Sequence, residues 1–335
     1  MKPLHAILLI LLVSSVFSAG CTGGSSGTAA TATPAPSPSH TSSIVVEIVP
    51  ETTVPLAVTP AVNVTTVTPL PTIPPAAELE TGAKKQAYPY VTRSLSQFLY
   101  YTTYDGVLTY LKEKYADRPA DVTAAGSVAE VYQQYSSDPV QKAYLDRFTG
   151  NIQQRSDLPQ ERARIAVSLI QHIPTGTSSG GLLPYEVLYY NKGSPADKSL
   201  LGACVLSGMG YGTALLVYPS ENHVALGLKC PKQYSVNGSG YCYVETAAPA
   251  IMTYSNGTLA DAGRMASSPL VIPVSEGQSF DQISEEYIDA RSYDAALRSA
   301  SVNSSGMMMD EINLDIYGDL RQKYGLYDLD LTRAG

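Results

Sequence analysis

The sequence predicts an α+β fold, and three stretches carry that prediction. Asn191–Thr246 reads as one helix (Asn191–Leu206) followed by three strands, Thr213–Pro219, Glu221–Cys230 and Gly240–Thr246. Upstream, Ile165, Ala166, Leu169, Ile170 and Ile173 recur at helical spacing. Downstream, Phe280, Ile283 and Tyr287, then Ile312, Leu314, Ile316, Leu320 and Tyr324, repeat the helical pattern. Strands grouped between helices, rather than alternating with them, belong to the α+β class.

Taken in order, the 335-residue chain opens with a basic Lys2, an apolar run from Ala6 to Val13, and small residues before Cys21. That pattern describes a secretion signal over residues 1–20 rather than a membrane-spanning helix. Ser18-Ala19-Gly20-Cys21 is similar to a lipoprotein processing box, which makes Cys21 the lipid-modified first residue. An ordinary cleaved signal with an incidental cysteine is the other reading. Residues 21–81 are Thr, Ser, Pro, Ala, Gly and Val with few charges, as in Thr65-Thr66-Val67-Thr68-Pro69-Leu70-Pro71. Such a stretch buries too little apolar surface to offset the entropy of ordering, so it is read as a disordered tether, with a composition that also suits an O-glycosylated stalk.

Residues 82–276 are expected to form the main domain, with residues 277–335 a helical extension of it. Val91–Lys112 mixes Leu, Tyr and Val with Ser and Gln and is read as one or two helices under the sheet; Val128–Tyr132 continues that reading. Asp157 as N-cap and Pro159 in the first turn start the helix that stops before Pro174. His172 at its end is read as a residue favoured by the helix dipole. Thr175–Gly181 is a loop, Pro269–Val274 a further strand, and Asn303–Gly306 a break between C-terminal helices. Met307-Met308-Met309 is read as packing or as an adaptable surface.

Net charge is −8 and no run of basic residues occurs in the sequence, which argues against nucleic acid as a partner. Asn237, Asn256 and Asn303 begin glycosylation sequons among Gly and Ser. Tyr is abundant at 24, and Trp is absent.

The residues arranged for chemistry lie in the central stretch. His223 opens a strand and Glu245 lies on the next, so that a base and the carboxylate that orients it stand across a sheet. The blocks Leu183-Pro184-Tyr185-Glu186-Val187-Leu188-Tyr189-Tyr190-Asn191-Lys192-Gly193-Ser194-Pro195-Ala196-Asp197-Lys198-Ser199, Glu221-Asn222-His223-Val224 and Tyr243-Val244-Glu245-Thr246 come in that order. Together they resemble the transglutaminase-like domains of the papain-type cysteine enzyme superfamily. The resemblance covers about residues 165–246. It implies a papain-like core, a helix packed on an antiparallel sheet, with additional N- and C-terminal helices. It further implies a cysteine nucleophile at a helix start, a histidine base and an orienting acid.

Carried over position by position, His223 takes the base and Glu245 the acid, while Pro195 stands where the nucleophile belongs; Gly193, Asp197, Lys198 and Ser199 match around it. A helix start lowers a thiol's pKa and stabilises an oxyanion, and proline supplies neither thiol nor hydroxyl. Proline does suit the first helical position, with Ser194 as N-cap and Asp197 closing a capping box. Cys204 lies nine residues into the helix, about 13.5 Å along its axis, on an apolar face, and is read as packing. Ser194 is the alternative nucleophile, although a cap hydroxyl is committed to backbone N–H groups. Asp197, Lys198 and Glu186 are read as cap, surface and loop residues.

Cys230 is seven residues from His223 and Cys242 three from Glu245, odd separations that turn both cysteines to the opposite face of the sheet. A Cys230–Cys242 disulfide is expected; a zinc site with Cys204 and His223 is the rival, disfavoured because no Cys-x-x-Cys occurs. No metal and no cofactor is expected. Two functional readings follow: a lipid-tethered, extracytoplasmic pseudoenzyme binding a peptide, glycan or cell-envelope partner, or an active amide hydrolase or transferase working through a non-standard nucleophile such as Ser194.

Overall fold

A computed structural model describes residues 73–118, 128–176, 181–255, 265–303 and 306–326, all within the unit Val67–Gly335. The signal segment, Cys21, the tether up to residue 72, loop residues 177–180 and the sequon at Asn256 lie outside the described residues.

The described chain begins with α1 (Ala76–Leu79), inside the stretch read as tether, and Leu79 is buried with Val107 and Leu111. Next come β1 (Ala83–Thr92) and β2 (Leu95–Tyr104), an antiparallel hairpin. This corrects the helical reading of Val91–Lys112: only its last third is helical, α2 (Asp105–Lys114). The two-residue turn, Arg93 and Ser94, has φ of 49° and 66°, the left-handed pair that right-twisted strands require. Neither residue advertises that conformation as Asn-Gly would. Alternation along β1 and β2 turns Tyr88, Tyr90, Leu99 and Tyr101 inward, where Phe148 meets Tyr88 and Tyr101 edge-on at 5.5 and 5.2 Å.

Tyrosine is therefore a core residue here as much as a surface one. Tyr88, Tyr90, Tyr185, Tyr218 and Tyr243 are all buried. Their hydroxyls need partners when dry, and Tyr88 donates to the Leu188 carbonyl at 2.6 Å, as Tyr101 does to that of Tyr144.

Helices α3 (Val128–Ser136), α4 (Pro139–Gln153), α5 (Pro159–His172) and α6 (Pro184–Tyr190) follow. Helix α5 ends before Pro174 as expected, but its N-cap is Leu158, not Asp157. Glu186 is no loop residue: it is buried in the first turn of α6, accepts from Leu183 N–H at 2.9 Å, and is held by Arg118 at 2.6 and 3.2 Å.

Helix α7 (Pro195–Gly208) packs on a four-stranded antiparallel sheet of order β5-β4-β3-β6, made of β3 (Thr213–Tyr218), β4 (His223–Lys229), β5 (Tyr241–Val244) and β6 (Leu270–Ser275). The four strands match the sequence prediction. Gly202 lets α7 approach closely, since a Cβ there would stand 2.9 Å from Leu226. Val224, Leu226, Leu228 and Val244 turn toward the helices, whereas Leu216, Tyr218, Ala225 and Tyr243 pack together on the other face with Met265.

Cys230 and Cys242 form a disulfide closing a twelve-residue separation. Both belong to the helix-side core, so the odd separations do place them away from the face of His223 and Tyr243. The chain ends with α8 (Ser284–Ser299), a small hairpin of β7 (Ser301–Asn303) and β8 (Gly306–Met308), and α9 (Glu311–Tyr324). Helices α8 and α9 share a cluster of Ile251, Ala290, Tyr293, Ala296, Tyr317 and Leu320. They are fastened to the rest by Arg164–Glu286 at 2.5 Å and by Ser94 N–H donating to the Lys323 carbonyl at 3.2 Å. Among the described residues no helix is long and apolar enough to cross a membrane.

Candidate functional site

The site is built where β4 begins and β5 ends. Asn222, at φ 48°, takes the left-handed conformation that asparagine tolerates and turns the chain so that His223 pairs directly with Tyr218 as the first residue of β4. Leu226 pairs with Val244, which sets Glu245 diagonally across from His223. The two side chains meet: His223 Nε2 lies 3.1 Å from Glu245 Oε2. Both are buried, at 5% and 1% exposure.

Glu245 is held on every side. Its Oε2 also accepts the Tyr243 hydroxyl, and its Oε1 accepts the backbone N–H groups of Thr246 at 2.8 Å and Ala247 at 2.6 Å. Burial works to raise the pKa of this carboxyl, but the bonds from His223, Tyr243 and Ala247 prevail and keep it below its ordinary value. Burial and the adjacent Glu245 push the Tyr243 phenol well above its own, so it stays a donor. An ionised Glu245 fixes the proton of the imidazole on Nε2 and leaves Nδ1 as the basic nitrogen. No partner for Nδ1 is found among the described residues.

The first turn of α7 is bonded to the residues that follow His223 and Glu245 in the chain. Ser194 caps it, accepting from Asp197 N–H at 3.2 Å, while Asp197 Oδ2 accepts from Ser194 N–H at 2.9 Å, the capping box expected from the sequence. Asp197 Oδ1 also accepts from Leu182 N–H at 2.8 Å. Ser199 donates to the Val224 carbonyl at 3.2 Å, and Thr246 donates to the Pro195 carbonyl at 2.8 Å. Pro195 is thus joined to the His223–Glu245 pair through Thr246, the residue that follows the acid. The Ser194 hydroxyl is engaged as a cap, and Cys204 is set in apolar surroundings whose desolvation pushes its thiol up to about 12.

Two residues of this region were given no part in the site from the sequence. Tyr243 was quoted only within the block that ends in Glu245 and Thr246, although the two-residue spacing to Glu245 is the signal that puts both on one face. Lys198, read as a surface residue, is fully buried. Its ammonium donates to the carbonyls of Ile173 at 2.5 Å, Gln171 at 3.1 Å and Ala247 at 3.4 Å. It therefore gathers the end of α5 and the segment after β5 onto the first turn of α7. Burial lowers its pKa to about 7, opposed by the attraction of Glu245.

His172 stands in the last turn of α5, where it was expected. It is buried, Nδ1 lies 2.8 Å from the Ser168 carbonyl, and desolvation lowers its pKa. Asn237 is exposed and its amide donates to Ser268 Oγ at 3.0 Å, while Asn303 lies in β7. No group of three or more His, Cys, Asp or Glu suited to a metal ion occurs among the described residues.

The chain matches no protein-family model, no curated protein and no solved structure.

Proposed function

We propose that this is a transglutaminase-like domain that has kept its base and orienting acid and lost its nucleophile, and that it binds a ligand instead of turning one over. The observation that supports the reading is the buried His223–Glu245 contact of 3.1 Å, together with Thr246, the residue after the acid, which donates at 2.8 Å to the carbonyl of Pro195 at the first helical position of α7. A hydroxyl or thiol at that helix start would complete a nucleophile–base–acid set. With a pyrrolidine ring there the set has no attacking atom. The ligand class is a peptide, a glycan or another component of the cell envelope. The tether and a lipid on Cys21 hold the domain outside the cytoplasm, at the membrane.

The test is Pro195→Cys. The new thiol sits at a helix start joined to the imidazole's neighbourhood, so iodoacetamide should alkylate it at pH 6.5 about tenfold faster than an unperturbed thiol. Adding His223→Ala should remove that advantage. The wild type serves as the blank, because Cys204 is set in an environment that keeps it protonated. A Pro195→Cys thiol no faster than an ordinary one, or indifferent to His223, contradicts the preserved site.

The second reading is catalysis through Ser194. Only its position next to Pro195 favours it, and its cap bond to Asp197 N–H at 3.2 Å opposes it.

A further inference from the structure

The β1–β2 hairpin is charged against the rest of the chain. Net charge is −8, yet between Glu80 and Asp105 stand Lys84, Lys85 and Arg93 and no acid. Arg93, at the turn, is paired with Glu161 at 2.7 Å. Lys84 and Lys85, at the opposite end, are exposed, as is Lys112 in the last turn of α2, and among the described residues none of these three lysines forms an ion pair. They lie over tyrosines instead. Lys84 Nζ stands 5.1 Å from the centre of the Tyr189 ring, Lys85 Nζ 5.1 Å from that of Tyr100 and Lys112 Nζ 5.7 Å from that of Tyr190. Tyr189 and Tyr190 meet edge to face at 5.2 Å, so Lys84, the two rings and Lys112 form one continuous row. The carboxylate beside that row, Asp105, is taken by the Tyr189 hydroxyl at 2.5 Å.

Exposed aromatic rings adjoin the lysines. Phe98 and Tyr100, 53% and 54% exposed, are alternate residues of β2 and share the outer face of the hairpin, across from Pro89 and Ala87. Lysines beside exposed rings suit the boundary of a bilayer, where the rings sit at headgroup depth and the ammonium groups meet anionic headgroups. A second copy of this chain is the poorer occupant, because a two-fold contact through this face sets lysine against lysine. The place of the surface in the chain agrees with a membrane. Helix α1 ends at Leu79 and β1 begins at Ala83, so the stretch read as tether enters the domain at the lysine end of the hairpin.

We propose that this face docks on a bilayer carrying anionic phospholipid, with Lys84, Lys85 and Lys112 at the headgroups and Phe98 and Tyr100 at the level of the interface. The surface is a different one from the His223–Glu245 pair, and only the argument from the tether rests on the membrane-anchored reading.

Flotation of the chain from residue 22 onward, which keeps every described residue and lacks both the signal segment and Cys21, tests the proposal with vesicles of phosphatidylcholine alone or mixed with phosphatidylglycerol. Binding to the mixed vesicles at low salt is expected, with release at high salt and little binding to phosphatidylcholine alone. Lys84→Ala, Lys85→Ala and Lys112→Ala should each weaken it about fivefold, the value of one lysine near an anionic surface. Lys232→Ala, at an exposed lysine in the loop between Cys230 and Cys242, should matter far less. Phe98→Ser should weaken binding at every salt concentration, which a purely electrostatic contact does not predict. All five side chains are exposed, so the variants keep the fold. No binding to the mixed vesicles at low salt, an equal loss from Lys232→Ala, indifference to Phe98→Ser, or capture by soluble heparin without binding to vesicles overturns the proposal. Incorporation of labelled fatty acid at Cys21 of the full chain tests the anchor by itself, so either result can fail without the other.

Discussion

Glu245 Oε2 is shared by two donors, the His223 imidazole at 3.1 Å and the Tyr243 hydroxyl, while Oε1 takes two backbone N–H groups of the segment that follows. This carboxylate organises the end of the sheet: it fixes a ring, a phenol and a turn at once. It is also the group whose removal the fold should feel most.

Glu245→Ala leaves the Tyr243 hydroxyl and two N–H groups buried without an acceptor. The expected cost is about 3–5 kcal/mol, the range for removing one partner of a buried charged pair. Urea unfolding at pH 7 measures it, and a loss below about 1 kcal/mol would show that water replaces the carboxylate cheaply.

The pH dependence has a definite sign. Since the folded-state pKa of Glu245 is depressed below the ordinary 4.5, its contribution is complete above that value and is lost as pH falls through the folded pKa. Glu245→Gln should therefore show a shallower loss of stability below pH 4.5 than the wild type, followed by urea midpoints across the acid range.

Lys198 acts in the opposite range. Its folded pKa of about 7 lies under the ordinary 10.5, so the unfolded chain holds the proton more tightly, and stability rises with pH above 7. Between pH 7 and 9, below the tyrosine range, the wild type should gain stability where Lys198→Met does not. The same variant strips a donor from the Gln171 and Ile173 carbonyls, and should speed hydrogen exchange at the end of α5.

The Cys230–Cys242 bridge closes a twelve-residue separation, which by loop entropy is worth about 3 kcal/mol. Cys230→Ser with Cys242→Ser should lower the urea midpoint accordingly and leave the His223–Glu245 contact in place, because the bridge lies in the core on the other face of the sheet.

Much of this arrangement was legible in the sequence because the signals were local. Ser194, Pro195 and Asp197 spell a helix start by side-chain chemistry alone, and the apolar runs of β3 and β4 are those of strands covered on both faces. The β1–β2 hairpin was missed because Arg93 and Ser94 hold a left-handed turn through tertiary packing rather than through intrinsic preference. Lys198 was misread because nothing in a sequence tells a solvated ammonium from one held by three distant carbonyls. Tyr243 and Glu245 share a face by their two-residue spacing, but that this face meets His223 depends on a register that pairing with β4 sets.

The most direct measurement is turnover by the purified protein on peptide amide substrates, with and without an added amine, beside His223→Ala. The account predicts release of ammonia at the background rate for both proteins. Turnover by the wild type that disappears in His223→Ala would mean that an attacking group operates beside the imidazole, and the proposal of a binding domain without a nucleophile would be wrong.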